Sequence, residues 1–304
     1  MAQSYSHQGL FNDAHSCIDK VIDASALNLP YILLHKANYF QSQKKYDESI
    51  QTIDKIFLVK KKKSFPDTAD TKDYQLYNKK GLIFLEQEKY QEATKNFDEA
   101  LQLEKQDSKI WFNQGLSLKF QQESDRALEY FDKALGLNPA NKIDILREKA
   151  FVLHYQKKLS MQAVQCLTAA LRIDSKRSDI WNLKGYYLKQ MKEYKEAMIC
   201  FNKAIEFNKD FVEAWSNKGH TFKALGESEK ALEAIIQVFK LDPENNDALE
   251  LKQQILGVYT SEPSGLQSKD AFFGGKVASV PEVQQFQPQP QPQKEEFYDK
   301  KFYI

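Results

Sequence analysis

Apolar residues recur along this chain with the spacing of amphipathic helices and, over a longer distance, with a period of 34 residues. The stretch 178–245 shows this period most clearly, because it holds two copies of one pattern. Trp181 and Trp215 stand at position 4 of the copies, and Gly185 and Gly219 stand at position 8. Positions 4, 8 and 11 share one face of a helix, and positions 20, 24 and 27 share one face of a second helix. The pattern therefore predicts a series of two-helix units.

The sizes of the residues at these positions suit two helices that pack closely. Bulky residues fill positions 4 and 24, and small residues at positions 8, 20 and 27 let the helices approach. Pro243 closes the second copy and disfavours helix in the residue before it, so the next unit can turn. These marks at this period resemble the tetratricopeptide repeat family. The resemblance implies an all-α fold, a right-handed superhelical solenoid of helical hairpins that binds other proteins.

The pattern also divides the chain into segments of different kinds. A terminal repeat has no neighbour to cover it, so we expect a capping helix with one polar face after the last repeat. The glutamine- and proline-rich composition near the C-terminus predicts disorder, because such a segment buries little apolar surface. The predicted segments are a truncated first repeat (1–29), a repeat (30–58), an insertion or loop (59–73), five tandem repeats (74–245), a capping helix (246–260) and a disordered tail (261–304).

The repeat that follows Pro139 departs from the regular spacing. Counting back from Ala163 would put Phe151 at position 8, where its ring would hold the two helices apart. A slip of one residue puts Ala150 at position 8 instead, and we predict this register. The turn near residues 157–160 is then expected to hold the extra residue.

Composition and charge disfavour several classes of function. The chain has 43 basic and 42 acidic residues and a net charge of +1, which gives no reason to expect a nucleic acid or a membrane as partner. The first residues lack the apolar core of a secretory signal, and no apolar run has the length of a membrane span. We therefore expect a cytoplasmic protein. The lysine run 60–63 is a candidate nuclear import signal, although such runs are more often solvated helix faces.

No stretch of the sequence predicts a catalytic or metal site. The five histidines lack the spacing of metal ligands, and no glycine-rich loop follows a strand pattern. The three cysteines include no C-x-x-C pair, and their odd number argues against a disulfide framework. We therefore expect a non-enzymatic protein without cofactors or bound metal, whose function depends on the side chains that its helices display.

In the tetratricopeptide family the first helix of each repeat lines the concave side, where positions 2, 5, 9 and 12 share one face. Position 9 is mostly apolar or aromatic and position 12 is mostly basic, which suits a peptide with apolar anchors and acidic residues. The alternative is that these aromatic residues pack between repeats and the lysines are ordinary solvated charges. The predicted partner-binding residues are Asn78, Phe112, Leu116, Lys119, Arg147, Phe151, His154, Asn182, Tyr186, Lys189, His220 and Lys223.

Three functions fit a helical repeat protein, and the sequence orders them. The first is a scaffold or adaptor that binds a partner segment in its groove. The second is a stable subunit of a multiprotein assembly, such as a transport or ciliary complex. The third, an RNA-binding repeat protein, is disfavoured by the balanced charge and the protein-binding type of the repeat marks. A clamp for C-terminal carboxylates, known in some tetratricopeptide co-chaperones, is not expected, because only Asn38 and Lys109 match its five positions.

Overall fold

A computed structural model describes residues 29–63 and 71–257, and every regular element in these ranges is helical. The expectations for the truncated first repeat and the disordered tail fall almost wholly outside these residues. The helices are α1 (Leu29–Ser42), α2 (Tyr46–Lys63), α3 (Asp73–Glu86), α4 (Tyr90–Leu103), α5 (Ser108–Phe120), α6 (Ser124–Gly136), α7 (Lys142–Phe151), α8 (Ser160–Ile173), α9 (Ser178–Gln190), α10 (Tyr194–Phe207), α11 (Val212–Ala224), α12 (Ser228–Leu241) and α13 (Asn246–Leu256).

Consecutive helices pack in pairs, α1 with α2 through α11 with α12, and each pair packs against the next. The all-α prediction of stacked helical hairpins is therefore confirmed for the described ranges. First helices of neighbouring hairpins also touch each other in two places, where α3 meets α5 and α9 meets α11, whereas the second helices make no comparable contacts within the described ranges. We call the side of the stack that is formed by the first helices its inner side. The repeat boundaries stay predictions, because helix ends do not define where a repeat begins.

In three of the described hairpins a ring on the second helix packs against a glycine on the first helix. Phe131 of α6 is fully buried, and a Cβ atom added to Gly115 of α5 would lie 2.6 Å from its ring. Position 8 therefore sets the distance between the two helices. The same arrangement joins Gly81 to Phe97 and Gly185 to Phe201.

The turn between the helices of a hairpin has a fixed geometry. In α5, the backbone N–H of Glu123 donates to the carbonyl of Leu118 at 2.9 Å, and Gln122 adopts a positive φ of 62°. This is the Schellman arrangement, which satisfies a carbonyl at the helix end. After α7 the corresponding bond runs from the N–H of Leu159 to the carbonyl of Leu153 and spans one residue more, and Lys158 takes the left-handed conformation. Every described hairpin thus enters its second helix in a similar way.

The irregular repeat keeps this turn and absorbs its extra residue inside the helix. Ala150 is fully buried and Phe151 only partly so, as the slipped register predicts. However, the extra residue does not lie at 157–160, and that part of the prediction was wrong. Residues Val152–Gln156 form a π-helical turn, in which the N–H of Lys157 donates to the carbonyl of Val152 at 3.0 Å. A π turn accommodates one residue by lengthening the hydrogen-bonded ring, so the turn that follows keeps its left-handed residue, Lys158.

The lysine run begins inside the fold. Helix α2 extends to Lys63, and the ammonium of Lys60 donates to the carbonyl of Thr71 at 2.7 Å and to Asp73 at 2.5 Å. The side chain of Lys60 is 12% exposed. Its charge is therefore neutralised across the insertion, and it is not part of a solvated basic face.

Among the helices within residues 29–63 and 71–257, none combines the length and low polarity that crossing a bilayer requires.

Candidate functional site

The inner side of the stack carries all of the predicted partner-binding residues. Each lies on the first helix of its hairpin, or on the π turn that continues one. Because successive first helices touch, their side chains can contact one another across repeats. By helix, the residues are Asn78 (α3), Phe112, Leu116 and Lys119 (α5), Arg147 and Phe151 (α7), His154 (the π turn), Asn182, Tyr186 and Lys189 (α9), and His220 and Lys223 (α11).

Two of the predicted apolar anchors belong to the core. Phe112 is 7% exposed and its ring centroid lies 5.9 Å from that of Phe131, while Leu116 is 2% exposed. Phe151 and Tyr186 are only partly buried. The burial of Phe112 and Leu116 favours the alternative that inner residues of α5 pack between helices. Phe151 and Tyr186 are the aromatic residues of the predicted set that remain accessible.

The middle of the inner side is charged but internally neutralised. The ammonium of Lys119, in α5, lies 2.7 Å from a carboxylate oxygen of Glu148, in α7, and both side chains are buried. The other carboxylate oxygen of Glu148 lies 3.3 Å from the Arg147 guanidinium. Arg147 and Arg177 in turn lie 3.7 and 3.9 Å from Asp144. We call these five residues the ion-pair chain. Lys119 and Arg147 therefore already have acidic partners within the fold.

His154 does not contribute to the basic residues that were predicted at position 12. Its side chain is 8% exposed, and its ring stacks on that of Tyr187 with the centroids 3.9 Å apart. Burial, together with the nearby charge of Lys158, lowers the pKa of His154 to about 4. The imidazole is therefore neutral at physiological pH.

Because His154 is buried in its neutral form, we expect the free energy of unfolding to fall at mildly acidic pH. The folded pKa of His154, about 4, lies below the unfolded value of 6.5, so the unfolded chain binds the proton first as the pH falls. Stability should therefore fall between pH 6.5 and 4 by up to about 3 kcal/mol, then level off as the folded form protonates. Denaturant unfolding of the wild type and a His154→Gln variant across this range isolates the effect. Parallel stability curves for the two proteins would contradict it.

Asparagine pairs link neighbouring repeats at two places on the inner side. The side-chain N–H of Asn113 donates to Asn78 Oδ1 at 2.9 Å, and that of Asn217 donates to Asn182 Oδ1 at 3.1 Å. In both pairs the residue at position 5 accepts from position 6 of the next repeat. The Nδ2 groups of Asn78 and Asn182 make no hydrogen bond within the described part of the chain, so each offers free donors.

Two lysines towards the C-terminal end of the stack have neutral partners. Lys189 Nζ donates to Asn217 Oδ1 at 2.9 Å and lies 5.0 Å from the Tyr186 ring centroid. Burial lowers the pKa of Lys189 to about 8. Lys223 Nζ donates to the side-chain oxygen of Gln254, in α13. Both lysines therefore interact with amide oxygens, and neither forms an ion pair with the described residues.

His220 is engaged with the last helix. Its Nε2 atom lies 3.0 Å from Asp247 Oδ1, and the hydroxyl of Ser216 donates to Asp247 Oδ2. The hydrogen bond with His220, followed by that from Ser216, lowers the pKa of Asp247 to about 2 despite partial burial. These contacts fasten α13 to α11.

The sequence analysis missed the contribution of position 6. Position 12 of one repeat contacts position 6 of the next in the pairs Gln41–Lys79 and Lys119–Glu148. The sequence could have indicated this contribution, since position 6 lies one turn after position 2 on the same face of the first helix. Gln41 also donates to Glu86, and burial lowers the pKa of Lys79. Nearby, between α1 and α3, is a cavity of about 280 Å³ lined by Tyr31, Leu34, His35, Asn38, Gln75 and Lys79.

Comparison with known proteins agrees with this architecture. Tetratricopeptide repeat family models match residues 78–142, 178–211 and 200–233. The Photosystem I assembly protein Ycf3 of Acaryochloris marina is 30% identical over 122 residues, which are 39% of this chain and 72% of that protein. This chain belongs to the tetratricopeptide repeat family. Tetratricopeptide repeats imply a protein–protein interaction scaffold, and the fold family is generally non-enzymatic.

Solved tetratricopeptide structures share the fold of this tetratricopeptide protein. The C-terminal part of a repeat protein from Cytophaga hutchinsonii superposes with a TM-score of 0.61 at 17% identity, over 82% of this chain and 97% of that one. A tetratricopeptide repeat protein from Parabacteroides merdae gives 0.58 at 19% identity, over 74% and 85% of the two chains. At these identities the similarity shows the fold alone, and it confirms the predicted solenoid of helical hairpins.

Proposed function

We propose that this tetratricopeptide protein is a scaffold that binds an extended segment of a partner protein along the inner side of its first helices. The observation that carries the proposal is the state of Lys189, a half-buried ammonium whose hydrogen-bond partner is the neutral Asn217. A charge that has lost part of its hydration and forms no ion pair gains most from a ligand that supplies an anion.

Donors elsewhere on the inner side support an extended ligand rather than a single small molecule. Asn78 and Asn182 lie three repeats apart, and each has unoccupied side-chain N–H donors. An extended peptide presents backbone carbonyls along its whole length, so one segment can reach both. The accessible rings of Phe151 and Tyr186 lie on helices between or beside these asparagines and would bury apolar side chains of the partner.

A second candidate is a permanent subunit of a larger assembly. The similarity to a protein named as a Photosystem I assembly protein supports this candidate. Co-purification distinguishes the two, because a permanent subunit is recovered with its partners in fixed stoichiometry, whereas a scaffold is recovered with variable amounts.

Substitutions on the inner side should weaken partner binding selectively. We expect the double variant Asn78→Ala, Tyr186→Ala to recover partners at less than a tenth of the wild-type level in quantitative affinity purification. Ile199→Ala is the control, because this residue is 60% exposed on a second helix, α10, and its loss should leave recovery unchanged. Thermal melts establish that all the proteins are folded. Full recovery of every partner by the folded double variant would rule out the inner side.

A further inference from the structure

We propose that helix α8 pairs with the α8 helix of a second copy of this chain, antiparallel and about a two-fold axis, so that the protein forms a dimer through its second helices. The interface is a row of residues spaced four apart on the exposed face of α8, which we call the α8 ridge. Its members are Met161, Gln165, Ala169 and Ile173. The proposal goes beyond the proposed function, because it concerns how two copies of the chain meet and does not involve the inner side.

The α8 ridge differs from the same row on the other second helices by its lack of charge. The two central places of the row are positions 22 and 26 of the repeat, and in α8 they hold Gln165 and Ala169. In each of the other second helices that the structure describes, at least one of these positions is charged: Lys55 (α2), Lys95 and Glu99 (α4), Glu129 and Lys133 (α6), Lys203 (α10) and Glu233 (α12). Covering the centre of α8 therefore removes no ionised group from water, whereas covering any of the others would incur that desolvation cost.

The face of α8 that the fold leaves uncovered has a large apolar side chain at each end. Met161 is 54% exposed and Ile173 is 53% exposed. On the opposite face, Ala163 and Leu167 are fully buried in the core of the repeat. Arg172 is the single charged residue of α8, and it lies at the end of the helix rather than at its centre. A partner therefore meets an apolar or neutral surface along about three turns of helix.

The order of residues along the ridge makes it complementary to itself in an antiparallel pair. With the two-fold axis halfway along the ridge, each end of one ridge meets the opposite end of the other. Met161 then lies beside Ile173 of the second copy, so that two exposed apolar side chains cover each other. Gln165 lies across Ala169 of the second copy, so that a long side chain meets a short one and the helices can approach. Such isologous contacts, in which the same patch serves both subunits, are the commonest in homo-oligomers.

The packing rules for helices favour this arrangement and indicate its strength. Rows of residues four apart on two helices interdigitate when the helix axes cross at about 50°, which is the commonest class in globular proteins. One pair of helices of this length makes a small interface, in the class below about 1,200 Å² that includes weak and transient complexes. We therefore expect Kd for dimerisation to be about 10–100 µM.

The dimer has a consequence for partner binding. Because only second helices take part in the pairing, the inner sides of both copies remain accessible to partner segments. A partner that carries two such segments can then bind both copies, and its second binding step is intramolecular. The dimer should therefore hold a two-segment partner more tightly than a monomer does, without any new contact.

Disulfide trapping in the full chain tests the antiparallel register. Cys17, Cys166 and Cys200 are first replaced by alanine, and thermal melts establish that this background is folded. A copy with Met161→Cys is then mixed with a differently tagged copy with Ile173→Cys and oxidised mildly. We expect about tenfold more mixed disulfide than disulfide between identical copies, because identical positions lie about 18 Å apart along the helices, beyond the roughly 7 Å between Cα atoms that a disulfide spans.

Helix α10 provides the matched control for disulfide trapping. Lys195 and Phe207 hold positions 18 and 30 on α10, as Met161 and Ile173 do on α8. Lys195→Cys mixed with Phe207→Cys should give less than about a tenth of the dimer that the α8 pair gives, since like-charged side chains remain in that row. Equal amounts of mixed and identical disulfides from α8, or as much dimer from α10 as from α8, would overturn the proposed pairing.

Sedimentation velocity of variants that keep the native cysteines measures the association itself. Gln165→Glu combined with Ala169→Glu puts two carboxylates at the centre of each ridge, and their repulsion should weaken dimerisation about tenfold or more. Gln165→Lys combined with Ala169→Lys should have the same effect. An equimolar mixture of the two variants should recover the dimer, because opposite charges then meet. Ile199→Glu is the control, because it adds a charge at position 22 of α10, and it should leave Kd within about twofold of the wild-type value.

The outcomes of sedimentation bear on the dimer alone. A wild-type chain that stays monomeric at about 300 µM, above the expected Kd, would overturn the proposal. A Gln165→Glu, Ala169→Glu variant that associates like the wild type would overturn it as well, and so would a mixture of the two charged variants that stays monomeric. Because no partner protein is present in these measurements, the proposed function of the inner side would remain untouched by any of these results.

Discussion

Replacing Glu148 by Gln is expected to lower the free energy of unfolding by about 3–5 kcal/mol, measured by denaturant unfolding. Glu148 is 1% exposed and accepts from the buried ammonium of Lys119 at 2.7 Å and from Arg147 at 3.3 Å. The amide retains the shape but removes the charge. Lys119 is then a buried cation without its acidic partner, and that desolvation cost is the source of the large effect.

Removal of both charges tests this explanation. Lys119→Met combined with Glu148→Leu should recover most of the stability, because an apolar pair of similar volume has no desolvation cost. The exposed pair of Lys203 and Glu206 supplies the control, and changing Glu206 to Gln should cost less than about 1 kcal/mol. A Glu148→Gln variant as stable as the Glu206→Gln variant would show that the ion-pair chain contributes little.

Replacing Gly115 by Ala should cost about 1–3 kcal/mol, although alanine favours helix by about 1 kcal/mol over glycine. The new methyl group would lie 2.6 Å from the ring of Phe131, which is fully buried. The two helices of the hairpin would be forced apart. A lower midpoint of thermal unfolding measures the effect.

Gly219 is the matched control for Gly115. A Cβ atom there would lie 3.3 Å from Leu251 Cδ2, the end of a flexible side chain, so Gly219→Ala should be neutral or stabilising by up to about 1 kcal/mol. Phe131→Leu should relieve the clash in the Gly115→Ala background. The irregular repeat already has this combination, because Ala150 and Leu167 hold the equivalent positions there and lie in one buried cluster. Equal losses at Gly115 and Gly219 would contradict this account of position 8.

The fold follows from the sequence because few residue types satisfy the packing of a hairpin. A glycine that packs against a ring, as Gly185 does against Phe201, indicates both the length of the repeat and the faces by which the two helices of a hairpin meet. Ala150 likewise indicated the register of the irregular repeat. The location of its extra residue did not follow, because a longer turn and a π turn use the same number of residues. Only the backbone hydrogen bond from Lys157 to Val152 distinguishes them.

The site was less predictable than the fold, because its side chains interact between repeats. Helical spacing placed Lys119 and Lys189 in equivalent positions, and on that basis both seemed available. Their difference arises 28 or 29 residues later in the chain, where Glu148 neutralises the first lysine and Asn217 does not neutralise the second. Such pairs depend on the rotation between successive hairpins, which the spacing within one helix does not determine.

The π turn at Val152–Gln156 has a consequence for how such arrays evolve. An added codon in most helices would rotate every later side chain by about 100° and disrupt all the interfaces downstream. Here the disturbance ends within a single turn, and the hairpins that follow keep their phase. A mutation that changes the length of the coding region is therefore tolerated as a local event, and new side chains can be brought to the inner side without rebuilding the rest of the array.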